Sequence, residues 1–299
     1  MTLLFKKNIK QLINHFGYDV KLHRIGKPSQ QQQPNFVFVH VPKSGGISID
    51  LAMRAQFAKA NQPRFSREGA IAMSLATYNQ DITNLDSIAQ FSDHHAQQLN
   101  GLLAYHLAQN WQYISGHVST NQHIIKQYSK QYSFITVLRE PVSRFVSNYI
   151  YNKLTNSLPI MAPNNLNSDN LIAEVNSILD HRRGWQMANV MSMCITGRFA
   201  KNETDAEHMQ TEFSKNLESY KVVGFLNNLD SFSQQIKNLS NKQINIGSHN
   251  TTDSFLDENK QQIKNTLQNY FNEPAVNTKL KNLCRFDIQN YQRAKEKYS

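Results

Sequence analysis

Two cysteines, Cys194 and Cys284, are all that 299 residues contain. Neither lies in a Cys-x-x-Cys pair or beside a histidine cluster with metal-ligand spacing, which argues against a zinc site. The two could pair, but nothing demands it, and a reducing compartment is the default. No apolar run approaches the length of a membrane span. No cluster of Asp and Glu has the density that would hold a divalent cation. Arginine-rich runs and aromatic RNA-binding signatures are missing as well, so nucleic acid is a weak choice of partner. The Walker pattern GxxxxGK[ST] is absent, which counts against an ordinary P-loop nucleotidase.

What is present is length and positive charge. The chain is long enough for one large α/β domain or two small ones with a real core. Its hydrophobic content of 39% is low, and Asn and Gln are abundant. A net charge of +10 suggests an anionic partner such as a nucleotide, an acidic glycan or a membrane surface. Met1 to Phe16 mixes Lys6, Lys7 and Lys10 with Leu3, Leu4, Phe5, Ile9, Leu12 and Ile13. This lacks a signal-peptide core and cleavage site, and it reads as a short amphipathic helix, packed on the body or lying on a membrane surface. A linker follows, ending in Ser29-Gln-Gln-Gln-Gln-Pro34. Residues 1–34 are therefore expected to be helix and linker, and 35–299 the domain proper.

The stretch Phe36-Val-Phe-Val-His-Val-Pro-Lys-Ser-Gly-Gly-Ile-Ser-Ile-Asp50 organises that domain. Phe36 to Val41 is apolar and β-branched, as a buried strand requires. Ile47 onward suits a helix. The loop between them is small and Gly-rich, so the backbone can approach a phosphate and the first N–H groups of the helix can point at it. Lys43 adds a mobile point charge, and Ser44 and Ser48 add hydroxyls. A second segment, Ser133-Phe-Ile-Thr-Val-Leu-Arg-Glu-Pro-Val-Ser-Arg-Phe-Val-Ser-Asn-Tyr149, repeats the order strand, loop, helix. Arg139 ends the strand, Pro141 suits a first helical turn, and Ser147 lies two turns along. Two parallel strands, each ending in an anion-binding loop, describe a site for a ligand with two separated phosphates.

These two segments resemble the cofactor loops of the sulfotransferases that use 3′-phosphoadenylyl sulfate (PAPS). Val-His-Val-Pro-Lys-Ser-Gly-Gly-Ile-Ser is similar to the family's 5′-phosphosulfate loop, His-Ile-Pro-Lys-Thr-Gly-Gly-Thr-Ser. Leu138-Arg-Glu-Pro-Val-Ser-Arg-Phe-Val-Ser-Asn-Tyr149 is similar to its 3′-phosphate segment, Leu-Arg-Asp-Pro-Val-x-Arg-x-x-Ser-x-Tyr. The departures are Ser44, Ile47 and Glu140, where the family has Thr, Thr and Asp. The nearest branch is the carbohydrate one, which includes heparan sulfate 2-O-sulfotransferases, and a bacterial, cytoplasmic member is expected. Golgi members carry an N-terminal anchor, so a Golgi lumen enzyme trimmed of its anchor is the alternative. The resemblance implies that Lys43, Ser44, Gly45, Gly46, Ile47 and Ser48 bind the 5′ end of PAPS and that Arg139 and Ser147 bind the 3′-phosphate. It also implies a third cofactor loop, carried over here as Ser248 and Asn250, with His249 touching nucleotide.

The order of the remaining elements points to the same fold. A helix from 88 to 109 leads to a short strand, Trp111 to Ile114, that ends at Gly116-His117. Another helix precedes the Phe134–Leu138 strand, and further helices fall near 169–181, 184–195 and 205–218. Tyr220 to Leu226 is a last strand, followed by a helix from Asp230 to Leu239, a polar loop over 245–252 and a helical C-terminal part, 256–298. The expected fold is α/β, a P-loop-like parallel sheet flanked by helices on both faces. Ligands in such sheets collect at the carboxyl ends of the strands, where Lys43, His117 and Arg139 all fall.

Sulfuryl transfer needs a cation for the leaving phosphate, N–H groups to hold it and a base for the acceptor hydroxyl. Lys43 suits the first role and His117 the last. Ser-Gly-His-Val-Ser resembles the segment around the catalytic histidine of the 2-O-sulfotransferase branch, which has a second histidine where this chain has Ser115. His94 and His95 are the runner-up bases. His40 reads as a packed residue that steadies the loop. Arg144 divides evenly between ion pair and ligand contact, and Trp185 reads as core. No metal is required. The expected function is transfer from PAPS to a hydroxyl of a glycan or related acceptor. The rivals are a P-loop-type nucleotide kinase and a non-catalytic nucleotide- or glycan-binding protein.

Overall fold

Four parallel strands form one sheet in the order β2-β1-β3-β4. They are β1 (Asn35–Val39), β2 (Tyr113–Gly116), β3 (Tyr132–Leu138) and β4 (Val222–Phe225). The computed structural model describes residues 34–59, 62, 64–155, 168–247 and 257–299. The proposed N-terminal helix and linker, together with Ser248, His249 and Asn250, lie outside the described residues apart from Pro34. Residues 34–299 make one compact unit.

β1 is central because nearly every side chain it carries is apolar, so both of its faces must be covered. Phe36 and Phe38 point to one face with Tyr113, Ile135, Val137 and Val222. Helix α1 (Gly46–Phe57) covers that face with Ile49, Met53 and Phe57. Phe232 and Ile236, from the helix over Leu229–Ser240, complete it. Val37 and Val39 point the other way, with Ile114, Phe134 and Leu138. There they meet Ala96, Leu103 and Leu107 of the long helix over Leu85–Ala108, and Phe213 and Leu217 of the helix over Glu203–Leu217. The alternation of the strand thus sorts its residues into two cores.

The helices take labels α1 to α13 in chain order. After α1 come α2 (Arg67–Ala76), α3 (Leu85–Ala108), α4 (Gln122–Tyr128), α5 (Pro141–Leu154), α6 (Ser168–Leu179), α7 (Arg182–Ala188), α8 (Val190–Thr196), α9 (Glu203–Leu217) and α10 (Leu229–Ser240). Three C-terminal helices follow, α11 (Glu258–Asn272), α12 (Pro274–Leu283) and α13 (Arg285–Tyr298). A third core, built from α5, α6, α7, α11 and α12, stands beside the sheet.

The expected fold is thus observed, with local corrections. The single helix expected over 184–195 is two, because the backbone breaks at Asn189. Its Nδ2 donates to the carbonyls of Trp185 and Leu283, which ties the break to the end of α12. Between α1 and α3 lies α2, capped by Ser66, whose hydroxyl accepts from the Gly69 N–H. Trp185 packs on Ala200, Ala206, Met209 and Phe286, a core role.

Candidate active site

Parallel strands bring all their carboxyl ends to one edge, and the strand order decides which loops meet there. β1 pairs with β2 on one side and with β3 on the other. The loop after β1 therefore lies between the segment holding His117 and the one holding Arg139. The His40 N–H bonds to the Gly116 carbonyl at 3.1 Å and carries the β1–β2 ladder one residue into this region.

The first loop is unusual in its backbone. Lys43 has φ 64° and Gly45 has φ 76°, so left-handed residues bracket Ser44. Such alternation builds the backbone nests that bind anions. For a lysine this conformation is uphill by about 1–2 kcal/mol. Arg139 offsets part of that cost, because its Nη1 donates to the Lys43 carbonyl at 2.9 Å. Gly45 is the N-cap of α1, and no side chain caps the helix. Ser44 is 1% exposed. Its Oγ has no hydrogen-bond partner among the described residues. A buried hydroxyl left unpaired costs about 1–3 kcal/mol, which a phosphate oxygen in the nest would recover. Ile47 is exposed, so its contribution to a nucleotide is the backbone N–H, and Ser48 is half-buried.

The two glycines differ in purpose. A side chain on Gly45 would be strained by its φ and would meet the Leu226 side chain at 2.7 Å. A Cβ on Gly46 would come within 1.8 Å of the His40 ring. The space that Gly46 leaves open is thus filled by His40, whereas the sequence reading gave it to the approaching phosphate. His40 stacks on Phe38 with ring centroids 5.7 Å apart, and against His117 at 4.2 Å. Burial, then the nearby His117 and Lys43, hold its pKa well below the usual histidine range. It steadies the loop as a neutral ring.

His117 turns its Nδ1 to the carbonyl of His40, 3.0 Å away. A carbonyl can only accept, so Nδ1 carries the proton and Nε2 presents a lone pair. Burial lowers the pKa of this ring, and the charges of Arg67 and Lys43 add to that, against the opposing effect of the His40 bond. His117 is therefore a neutral imidazole in the tautomer that a general base requires.

The runner-up histidines are engaged with α2. The Ser74 hydroxyl donates to the Ala70 carbonyl, so at 2.7 Å it accepts from Nδ1 of His95. The His94 Nε2 lies 2.8 Å from the Thr77 hydroxyl. Burial, then Arg67, His94, Arg183 and His117, push His95 down to about 4. His95 thus feels His117, both rings feel Arg67 of α2, and His95 also feels Arg183 of α7.

The second loop departs from the expected anion site in one respect. Glu140 caps α5, its carboxylate accepting from the N–H groups of Val142 and Ser143 at 3.0 and 2.7 Å. The Val142 and Ser143 amides at this helix start are taken by the protein's own anion, which leaves, of the groups the sequence suggests here, the side chains of Arg139 and Ser147. Pro141 is the first helical residue, as the sequence predicts. Ser147 is half-buried and shares a face of α5 with Ser143 and Tyr151, one turn away on either side. Lys43 reaches that face, its Nζ lying 3.9 Å from the centre of the Tyr151 ring. Burial and the charge of Arg139 push the Lys43 pKa down to about 8.

Arg144 lies outside the site. It is fully buried, and its Nη2 donates to the carbonyls of Met187 and Ala188. Its charge faces Asp287, which accepts from the N–H groups of Met191 and Ser192 at 3.0 Å. Arg144 ties α5 to α7, α8 and α13.

Sequence reasoning missed Tyr151, Arg67 and Arg183. Tyr151 had a usable signal, its spacing of one turn from Ser147. The two arginines had none, because α2 and α7 meet the site only through tertiary packing. Among the described residues no three His, Cys, Asp or Glu side chains converge as a metal site. No described helix is long and apolar enough to cross a membrane.

The orphaned Ser44 hydroxyl, the left-handed nest and the Lys43–Arg139 pair fit a phosphorylated nucleotide. No curated protein matches the sequence. A family model described as the sulfotransferase family matches residues 30–299. With the match spanning most of its length, and with two strand-loop-helix segments meeting at one sheet edge, the chain belongs to the sulfotransferase family.

Proposed function

We propose that this enzyme transfers a sulfuryl group from PAPS to a hydroxyl of a glycan or related acceptor, with His117 as general base. When bound, PAPS supplies the activated sulfuryl group and leaves as adenosine 3′,5′-bisphosphate. The loop from Lys43 to Ser48 holds the 5′ end, with the Ser44 hydroxyl and the α1 N–H groups as donors. The Lys43 ammonium stabilises negative charge on the departing phosphate. Arg139 and Ser147 hold the 3′-phosphate, the arginine with its planar fork. His117 takes the acceptor's proton on Nε2. The observation that carries this reading is the bond from His117 Nδ1 to the His40 carbonyl, which sets the tautomer beside the loop that carries Lys43. Arg67, whose charge reaches both His117 and His95, and Arg183, whose charge reaches His95, favour an acceptor with a carboxylate or sulfate near the reacting hydroxyl. Radiolabelled PAPS offered with a panel of acidic and neutral glycans tests the reaction directly; label remaining on nucleotide with every acceptor would count against it.

The 3′-phosphate role makes a sharper prediction. Arg139→Ala should lower affinity for adenosine 3′,5′-bisphosphate by about 10- to 150-fold, the worth of a charged hydrogen bond. It should barely change binding of adenosine 5′-phosphate, which has no group for that arginine. Calorimetric titration of both nucleotides checks this. Equal losses for the two would assign Arg139 to the first loop's backbone, through its bond to the Lys43 carbonyl, and not to the 3′-phosphate.

A further inference from the structure

The ammonium of Lys43 and the ring of Tyr151 come from elements far apart in sequence. Lys43 leaves a left-handed turn after β1, and Tyr151 stands in the third turn of α5. The 3.9 Å between Nζ and the ring centre is well inside the range in which a cation is drawn to an aromatic face. The contact also sets a direction. From its turn Lys43 has a long, rotatable stem, and the ring fixes the head beside the face of α5 that carries Ser147.

We propose that Tyr151 is the positioning residue for Lys43, its ring face holding the ammonium charged and in place between the two phosphate loops. This rests on the role given to Lys43 above. Among the described residues Lys43 interacts electrostatically with Arg139 after β3, His40 after β1 and His117 after β2, and none of these is an anion. Burial and Arg139 both act to strip the lysine of its proton. The negative face of the Tyr151 ring attracts the ammonium and opposes both.

The test measures Lys43 itself in nucleotide-free protein. Competitive labelling of amines with acetic anhydride, followed over pH 6–10 by mass spectrometry of the Lys43 peptide, gives its apparent pKa. Tyr151→Leu should lower that value by about half to one unit, the size expected when a partly desolvated cation loses an aromatic face. Tyr151→Phe keeps the ring and should keep the wild-type value. The alkaline limb of the transfer rate should move with the labelling curve in the leucine variant and stay put in the phenylalanine variant. An unchanged pKa in Tyr151→Leu overturns the proposal, as does an equal shift in both variants, which would assign the effect to the hydroxyl. Because labelling needs neither donor nor acceptor, its failure leaves the proposed reaction untouched. Failure to bind the bisphosphate would sink that reaction without moving the labelling curve.

Discussion

Replacing His117 by alanine should lower sulfuryl transfer by about 10²- to 10⁴-fold, the usual contribution of a general base, while bisphosphate affinity stays within a few fold. The reason is local. Nδ1 is committed to the His40 carbonyl, so under the proposed reaction the lone pair that takes the acceptor's proton is the one on Nε2. Alanine also leaves that carbonyl without its donor, so a structural effect has to be separated from a chemical one. Asparagine does this, since its amide can still donate to the carbonyl but cannot accept a proton at neutral pH. His117→Asn should therefore be as inactive as His117→Ala and as stable as the wild type in urea. Retention of activity in the asparagine variant, with collapse in His95→Ala, would make His95 the base. The geometry at His95 permits that test, because its Nδ1 is likewise fixed, by Ser74.

Lys43→Ala is the second large effect. Removing a preorganised cation from a developing oxyanion costs about 10²- to 10³-fold in rate. The pH dependence ties the loss to charge. The Lys43 pKa is lowered from 10.5 to about 8, so the charged form required for catalysis is present below that pH and disappears above it. The transfer rate should fall as pH rises through about 8. His117 acts in the opposite sense. Burial lowers its pKa from 6.5, so it is neutral and competent through neutral pH and protonates only in more acidic solution. The profile is a bell with its alkaline limb owned by Lys43. Lys43→Arg should push that limb beyond the accessible range, at some cost in fit to the loop. A wild-type rate that stays flat to pH 9 would remove Lys43 from the charge-stabilising role.

Both loops were legible because each is a local object. Val39 to Ile49 carries its strand, its turn and its helix start in a few consecutive residues, and glycine and lysine have few reasons to stand together at such a turn. The parallel sheet was legible too, since each strand is followed by a helix and the connections leave little choice of direction. What escaped was contact between elements. Glu140 could be read as a carboxylate next to Pro141, yet its capture of the α5 amides, which closes that helix start to a phosphate, shows only in the folded chain. Arg144 lies five residues from Arg139 and reads equally as ion pair or ligand contact, and only the folded helix shows it turned inward to Met187, Ala188 and the field of Asp287. Gly46 reads as a phosphate-loop glycine, and the structure gives its space to His40. Tyr151 stands one turn from Ser147 on α5 and could have been read from that spacing, whereas Arg67 of α2 and Arg183 of α7 come near His95 by packing that no spacing in the sequence encodes.

The two-phosphate site is the claim on which every assigned role depends, and calorimetric titration of adenosine 3′,5′-bisphosphate against ATP and AMP, in buffer without metal, tests it most directly. Tight binding of the bisphosphate, with AMP and ATP weaker by tenfold or more, is the predicted result. Preference for ATP, appearing only when Mg²⁺ is added, would contradict the account and turn both loops over to a phosphotransferase.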